Sequence, residues 1–249
     1  MEYRCVAVSV EGFIQQLAVA YITNGYWFYV VGDIPEGKDP LKIDAKLVER
    51  YGIAISKWAR CRRKRQGMAN MQYLRHERLF VLLATKGRHE FFARERETLR
   101  DVRRVPIKFA GYSIGCRRGR DGCWHASVRL TARVYSEMKA RLLEVGRVSS
   151  LLALEREFRG LDLELYAPIR QQVLAMWRAV NRQRAEGGLA LLPPTCILEN
   201  RRSVQPFGEI LTNEIDAVRA GFSEPAVPTG SHSRLAELRK PPPVPSKPS

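Results

Sequence analysis

The highest concentration of charged side chains in the sequence is the run Arg60-Cys61-Arg62-Arg63-Lys64-Arg65, in which five of six side chains are cations. On a helix these charges surround much of the circumference and repel one another unless anions lie between them. Phosphate groups would relieve that repulsion, and the release of counterions from a nucleic acid would drive binding. The run therefore predicts phosphate contacts from its five cations: Arg60, Arg62, Arg63, Lys64 and Arg65.

Trp58, just before this run, has two interpretations. Its ring either packs in the core or stacks on an unpaired base. The basic run also has a plain structural interpretation, a solvated helix face that is neutralised by acidic neighbours. The candidates for that pairing are Glu49, Glu77, Glu95 and Glu97.

A second basic cluster lies in a predicted loop between two strands. The loop reads Arg117-Arg118-Gly119-Arg120, and a hairpin that contains glycine can reach into a groove or follow a backbone. Arg103 and Arg104 extend the same predicted surface, although Asp101 and the acids at 95 and 97 partly neutralise it. Arginines that contact phosphate position a protein without reading sequence, so no sequence preference follows.

Chemistry on a phosphodiester would need clustered carboxylates for a divalent metal, or a nucleophile with a supporting base. Asp33 and Glu36 follow an apolar strand and are close in sequence to Asp39 and Asp44, so they are the most metal-like group. His89 and Glu90 are candidates for acid-base work. Acids in such positions more often cap helices, and the chain has no GxxxxGK[ST], GxGxxG or HExxH motif.

Cys116, Cys123 and His125 have the ligand types of a zinc site. Their spacing does not match the usual paired-ligand knuckle, and no second CxxC or HxxxH completes a set of four ligands. We therefore predict no bound metal. Mg²⁺ would be required only if the protein were a metal-dependent nuclease.

The charge of the chain is concentrated in its middle. The 249 residues carry a net charge of +16, of which residues 60–147 contribute +15, while residues 1–59 and 148–222 contribute −1 and 0. A phosphate-rich partner is the simplest explanation.

Five scattered cysteines argue against a disulfide framework, and no segment has the length and apolarity of a membrane span or the pattern of a signal peptide. We expect a cytoplasmic protein with no membrane partner.

Hydrophobic patterning predicts the elements that position these residues. Residues 1–147 read as an α+β domain, a mixed or antiparallel sheet with packed helices. Residues 148–222 read as a helical lobe, and the Pro-rich residues 223–249 as a disordered tail. The predicted strands are 3–10, 26–34, 70–75, 79–85, 106–116 and 124–131, and the first helix begins near residue 13 and stops at Asn24-Gly25. Further helices are predicted from residue 40 to about 51 and over 57–66, 132–145, 151–159 and 167–185, with a highly charged connection over 88–104 that a helix could occupy.

Three functions are compatible with this sequence. We expect a nucleic-acid-binding protein, with DNA favoured over RNA, that serves replication or movement of a genetic element. The first alternative is a metal-dependent nuclease that uses Asp33 on a substrate held by the same arginines. The second is an RNA-binding scaffold in which unpaired bases stack on the aromatic cluster Tyr26, Trp27, Phe28 and Tyr29.

Overall fold

A computed structural model describes residues 3–164, 166–197 and 204–208. The described chain forms two antiparallel sheets with packed helices, followed by a helical segment, so the predicted α+β class is confirmed. The predicted tail, residues 223–249, lies outside the described residues, and so does most of the predicted lobe beyond residue 197.

The first sheet has the order β2-β3-β1-β4 and the second the order β5-β6-β7. The strands are β1 (Tyr26–Asp33), β2 (Met71–His76), β3 (Leu79–Thr85), β4 (Arg100–Asp101), β5 (Ile107–Phe109), β6 (Tyr112–Arg118) and β7 (Trp124–Leu130). The helices are α1 (Val10–Gln15), α2 (Pro40–Arg50), α3 (Lys57–Arg65), α4 (Phe91–Arg94), α5 (Ala132–Val148), α6 (Leu151–Arg159) and α7 (Ala167–Glu186).

Local capping explains where three of the predicted helices begin. The side chain of Asp39 accepts from the Leu41 N–H at 3.0 Å, and that of Ser56 accepts from the Ala59 N–H at 3.2 Å. Thr131 caps α5 in the same way. Such side chains satisfy amide groups that have no partner inside the helix. The predicted starts of α2, α3 and α5 are confirmed.

The predicted opening strand, residues 3–10, is wrong. Only Val6 makes a bridge, parallel to Arg75 on the edge strand β2, and the chain then turns into α1. Ser9 causes this early turn, because its hydroxyl caps α1 by accepting from the Gly12 N–H at 3.0 Å. The helix continues as a π-helical segment, Gln16–Tyr21, and a 3₁₀ turn, Ile22–Asn24, and it ends at Gly25 as predicted.

The predicted single strand 106–116 is two strands, β5 and β6. Phe109 pairs with Tyr112 across a two-residue turn in which Ala110 and Gly111 both have positive φ, 50° and 84°. Two positive φ angles are the geometry of a tight hairpin turn, which usually carries Asn-Gly or Asp-Gly. Alanine in the first position hid the turn from sequence analysis.

The charged connection over 88–104 is mostly irregular. It contains the single turn α4 and the two-residue strand β4, which adds to β1 through pairs of Phe28 with Asp101 and Tyr29 with Arg100. This pairing brings the basic residues after Asp101 to the edge of the first sheet.

The first sheet is buried on both faces. On one face, Tyr29, Leu74 and Leu83 share a core with the second sheet and with α5, α6 and α7. The other face packs on Tyr51, which follows α2, and on Phe91 of α4. Within the described ranges, no helix is both long and apolar enough to cross a lipid bilayer.

Candidate nucleic-acid interface

The inner face of α3 is fixed to the protein by two of its arginines. The Arg60 Nη2 donates to the Ile53 carbonyl at 3.0 Å, and the Arg63 Nη1 donates to the Gly52 carbonyl at 3.2 Å. The Asn70 side chain in turn donates to the Arg60 carbonyl at 3.0 Å. Arg60 and Arg63, both predicted as phosphate contacts, are half-buried and hold the helix in place.

The outer face of α3 is exposed and cationic. Its exposed cations are Lys57, Arg62, Lys64 and Arg65. Within the described residues none of these four side chains lies within ion-pair distance of a carboxylate, and the pairing with Glu49, Glu77, Glu95 or Glu97 that would neutralise the helix is not formed. Glu95 accepts a hydrogen bond from the Tyr51 hydroxyl instead. The helix has no acidic residue of its own.

A close backbone crossing fixes the C-terminal end of α3. The Arg88 N–H donates to the Gly67 carbonyl and the Ala69 N–H donates to the Arg88 carbonyl, both at 3.0 Å. Gly87 has φ +145°, and a Cβ there would lie 2.5 Å from the Ala69 nitrogen. Only glycine fits such a crossing. The crossing also brings exposed Arg88 beside the end of the basic helix.

The hairpin loop between β6 and β7 is closed by its own polar groups. The Gly119 N–H donates to the Cys123 carbonyl at 2.8 Å, and the Asp121 carboxylate lies 2.8 Å from the His125 Nε2. Arg118 is exposed, and its Nε donates to the Gly122 carbonyl at 3.0 Å. Arg117 and Arg120 are exposed, and among the described residues neither forms an ion pair.

Arg117 belongs to a wider cationic sheet face. Alternation along β6 and β7 puts Arg117, His125 and Arg129 on the side that faces away from the core. The pKa of the Arg129 guanidinium is lowered by burial and by the nearby charge of Arg117. Lys108 on β5 pairs with Ser113, opposite Arg129, and joins the same face. Sequence analysis missed Arg129 and Lys108, although the two-residue period of the strands would have found both.

Arg103, the third part of the predicted surface, is held by its neighbours. Its guanidinium makes a two-point pair with Asp101, with distances of 2.9 Å and 2.6 Å. It stacks 4.3 Å from the ring centre of Trp27 and 5.5 Å from that of Trp124. Burial alone would raise the pKa of Asp101, but the hydrogen bonds from Arg103 lower it below its ordinary value. Arg104 is exposed beside this cluster.

Both basic surfaces reach the same end of the first sheet, the start of β1. Asn70, whose side chain donates to the Arg60 carbonyl of α3, also donates its N–H to the Thr85 hydroxyl at 2.9 Å, and Thr85 pairs with Tyr26. The next residue, Trp27, has its ring centre 6.3 Å from that of Trp124 at the base of the hairpin. Helix α3 and the hairpin therefore flank two adjacent residues.

The candidate acids lie elsewhere. Asp33 is exposed at the other end of β1, seven residue steps or about 23 Å from Tyr26. Asp39 caps α2, and Asp44 is buried, where it pairs with Arg75 at 2.9 Å and accepts from the Tyr73 hydroxyl at 2.5 Å. Asp33 is therefore distant from the arginines that the nuclease alternative would need beside it.

The other candidates for chemistry are also dispersed. The His89 Nδ1 accepts from the Phe91 N–H at 3.1 Å, and Glu90 pairs with Arg94. Cys116 is buried on the core side of β6, whereas His125 is exposed on the opposite side, so the zinc ligand types do not converge. In the part of the chain that the structure describes, no three His, Cys, Asp or Glu side chains are grouped to hold a metal ion.

The aromatic cluster at the start of β1 is largely internal. Tyr26 and Tyr29 are buried, Phe28 packs edge-on against Phe92, and Trp27 lies beneath Arg103. These rings are therefore not presented to unpaired bases.

Comparison with known protein families, with curated proteins and with solved structures gave no match to this chain.

Proposed function

We propose that the protein binds DNA, with the outer face of α3 and the β6–β7 hairpin as its phosphate-contacting surfaces. One observation carries the proposal: α3 has six cations in nine residues and no acid, and its four exposed cations form no ion pair with any described residue. By contrast, the exposed arginines Arg133, Arg141 and Arg159 of α5 and α6 each pair with a glutamate.

The cost of crowding these cations supports a polyanionic partner. The helix dipole favours Lys64 and Arg65 near the C-terminal end of α3, but like charges one turn apart still repel each other by a few tenths of a kcal/mol per pair. A phosphate backbone would replace that repulsion with attraction and release its condensed counterions.

The surfaces offer seven exposed cations to a duplex: Lys57, Arg62, Lys64, Arg65, Arg117, Arg118 and Arg120. If all seven contact phosphates, the logarithm of the binding constant falls with the logarithm of salt concentration with a slope of about −6. Such contacts supply affinity and register, not sequence reading. Service in replication or in movement of a genetic element stays a prediction.

A salt titration tests the proposal. Fluorescence anisotropy of a labelled duplex would be measured with the purified protein between about 0.05 and about 0.3 M salt, where a slope near −6 predicts a loss of more than a thousandfold in affinity. An affinity that is absent at low salt, or constant across this range, would overturn the proposal. The same samples, incubated with Mg²⁺, would show whether the DNA stays intact.

A further inference from the structure

Trp58 is the most exposed large ring among the residues that the structure describes. Its relative exposure is 81%, whereas Trp27, Trp124 and Trp177 are all half-buried. Trp27 and Trp124 enclose Arg103, and the Trp177 Nε1 donates to the Leu192 carbonyl at 3.1 Å. The position of Trp58 is not explained by packing, because α3 has no buried residue at all.

Cations surround this ring on the helix. Arg62 follows Trp58 by four residues and Arg65 by seven, so both lie on the same side of the helix, within about 10 Å along its axis. Arg60, which holds α3 to the protein, points to the opposite side. The outer face of α3 thus combines one flat apolar ring with a line of positive charge.

The size of the apolar surface argues against a protein partner. A tryptophan exposes at most about 250 Å², so Trp58 presents about 200 Å². A stable protein interface needs about 800 Å² from each partner with an apolar centre. The side chains beside Trp58 on this face are Cys61, Arg62 and Arg65, which do not enlarge the apolar area.

We propose that the outer face of α3 binds single-stranded DNA, with an unpaired base stacked on Trp58 and the flanking phosphates on Arg62 and Arg65. This inference rests on the proposed function and specifies the form of DNA that this surface takes. Base stacking on an aromatic ring combined with a cationic track is the usual chemistry of single-strand binding. Bases inside a duplex are already stacked and hidden, so they cannot use the ring.

The surface chemistry supplies donors but no acceptor for the additional hydroxyl group of RNA, so we assign the strand as DNA. Recognition of RNA uses partners for the 2′-hydroxyl group, which donates as well as accepts hydrogen bonds. The side chains of α3 are cationic or apolar and include no carboxylate or amide oxygen that would accept from a 2′-hydroxyl.

The test compares Trp58→Ala and Trp58→Phe in the full-length protein, with Leu41→Ala as a control for loss of another exposed apolar side chain, 67% exposed on α2. The probes are oligo(dU), an abasic strand of the same length that keeps the phosphates, and a duplex. Trp58→Ala should weaken oligo(dU) binding about 5- to 150-fold without changing its salt slope. It should leave the abasic strand and the duplex unaffected, and Trp58→Phe should recover most of the affinity.

A spectroscopic readout separates stacking from general damage. Oligo(dU) should quench the tryptophan fluorescence of the wild-type protein, and Trp58→Phe should lose most of that quenching while it still binds. Salt-dependent duplex binding with oligo(dU) affinity unchanged in Trp58→Ala would overturn the stacking inference and leave the proposed function standing. Absence of wild-type binding to every probe would overturn both. Binding of oligo(U) RNA more than tenfold tighter than oligo(dU) would overturn the assignment to DNA.

Discussion

Removing three unpaired cations from α3 isolates the contribution of that helix to the proposed DNA binding. The variant is Arg62→Gln, Lys64→Gln and Arg65→Gln, at positions that are exposed and outside the contacts holding α3. Glutamine has a helix propensity close to that of arginine and lysine, and the substitutions remove mutual repulsion. We expect thermal stability to change by less than about 1 kcal/mol.

The expected loss of affinity follows from counterion release. Each phosphate contact contributes about 0.9 to the salt slope, so loss of three contacts makes the slope shallower by about 2.7. At about 0.1 M salt, where each unit of slope corresponds to a tenfold change, duplex affinity should fall about 500-fold. A smaller loss together with a smaller change in slope would mean that the remaining cations replace the lost contacts.

The assay is anisotropy with one labelled duplex across several salt concentrations, and the chain offers a matched control. Arg133→Gln, Arg141→Gln and Arg159→Gln remove the same total charge from exposed arginines that already pair with Glu137, Glu157 and Glu155. If affinity depends on where the cations lie and not on net charge, the control variant should change duplex affinity less than tenfold. Equal losses in both triple variants would refute the reasoning, because net charge alone would then explain binding.

Three further predictions concern the framework that positions these surfaces. Gly87→Ala should lower the free energy of unfolding by about 2–4 kcal/mol in a denaturant titration, since the new Cβ meets backbone atoms where the chain crosses the end of α3. Asp44→Ala should cost about 3–5 kcal/mol in the same assay, because it leaves Arg75 buried without its charge partner. Asp101→Asn should make the free energy of unfolding depend less on pH in the acid range. The folded pKa of Asp101 is lowered, so its carboxylate stabilises the fold above the unfolded pKa of about 3.9. That stabilisation is lost as the pH falls through the folded pKa. Unfolding measured from about pH 7 to about pH 3 should therefore show a steeper loss in wild type than in the variant.

Each of these variants has a control that makes a comparable change at a permissive place. Gly37→Ala changes a glycine with positive φ, 81°, whose Cβ would meet nothing within 4 Å, so it tests backbone strain without the crossing. Glu137→Gln breaks an exposed pair and should cost less than about 1 kcal/mol. Asp33→Asn removes an exposed carboxylate. If a variant and its control have equal effects, the explanation given for that variant is contradicted.

Local features of this fold were predictable from sequence, and contacts between distant segments were not. The caps at Asp39, Ser56 and Thr131 act on amides within three residues, so short motifs are enough to find them. The ion pair of Asp44 with Arg75 joins residues that are 31 positions apart and depends on how α2 crosses the sheet. Nothing near Asp44 in the sequence distinguishes it from the exposed acids beside it.

The candidate surface shows the same limit. Counting charges located α3 and the hairpin, because the excess of arginine and lysine is a property of composition. It did not separate the outward Arg62 from the inward Arg60, since a helix without an apolar stripe gives no signal about which side is packed. The stacking of Arg103 was equally hidden, because Trp27 and Trp124 come from different sheets.

Some arginines bond to the protein and others are exposed without a partner among the residues that the structure describes. The difference depends on whether a hydrogen-bond acceptor lies within reach of the side chain. Arg103 has Asp101 and two indole faces within reach, so it joins the first sheet to the hairpin. Arg60 and Arg63 donate to the carbonyls of Ile53 and Gly52, so they hold α3 to the loop that precedes it. Arg62 and Arg65 have no such acceptor among the described residues. The inner arginines thus fix the position of the helix that carries the outer ones, so ordering of this helix would add no entropy cost to the proposed binding of a phosphate backbone. A cationic helix face with one exposed ring, on a helix held by its inner arginines, is therefore the feature on which the proposed binding of a nucleic-acid strand rests.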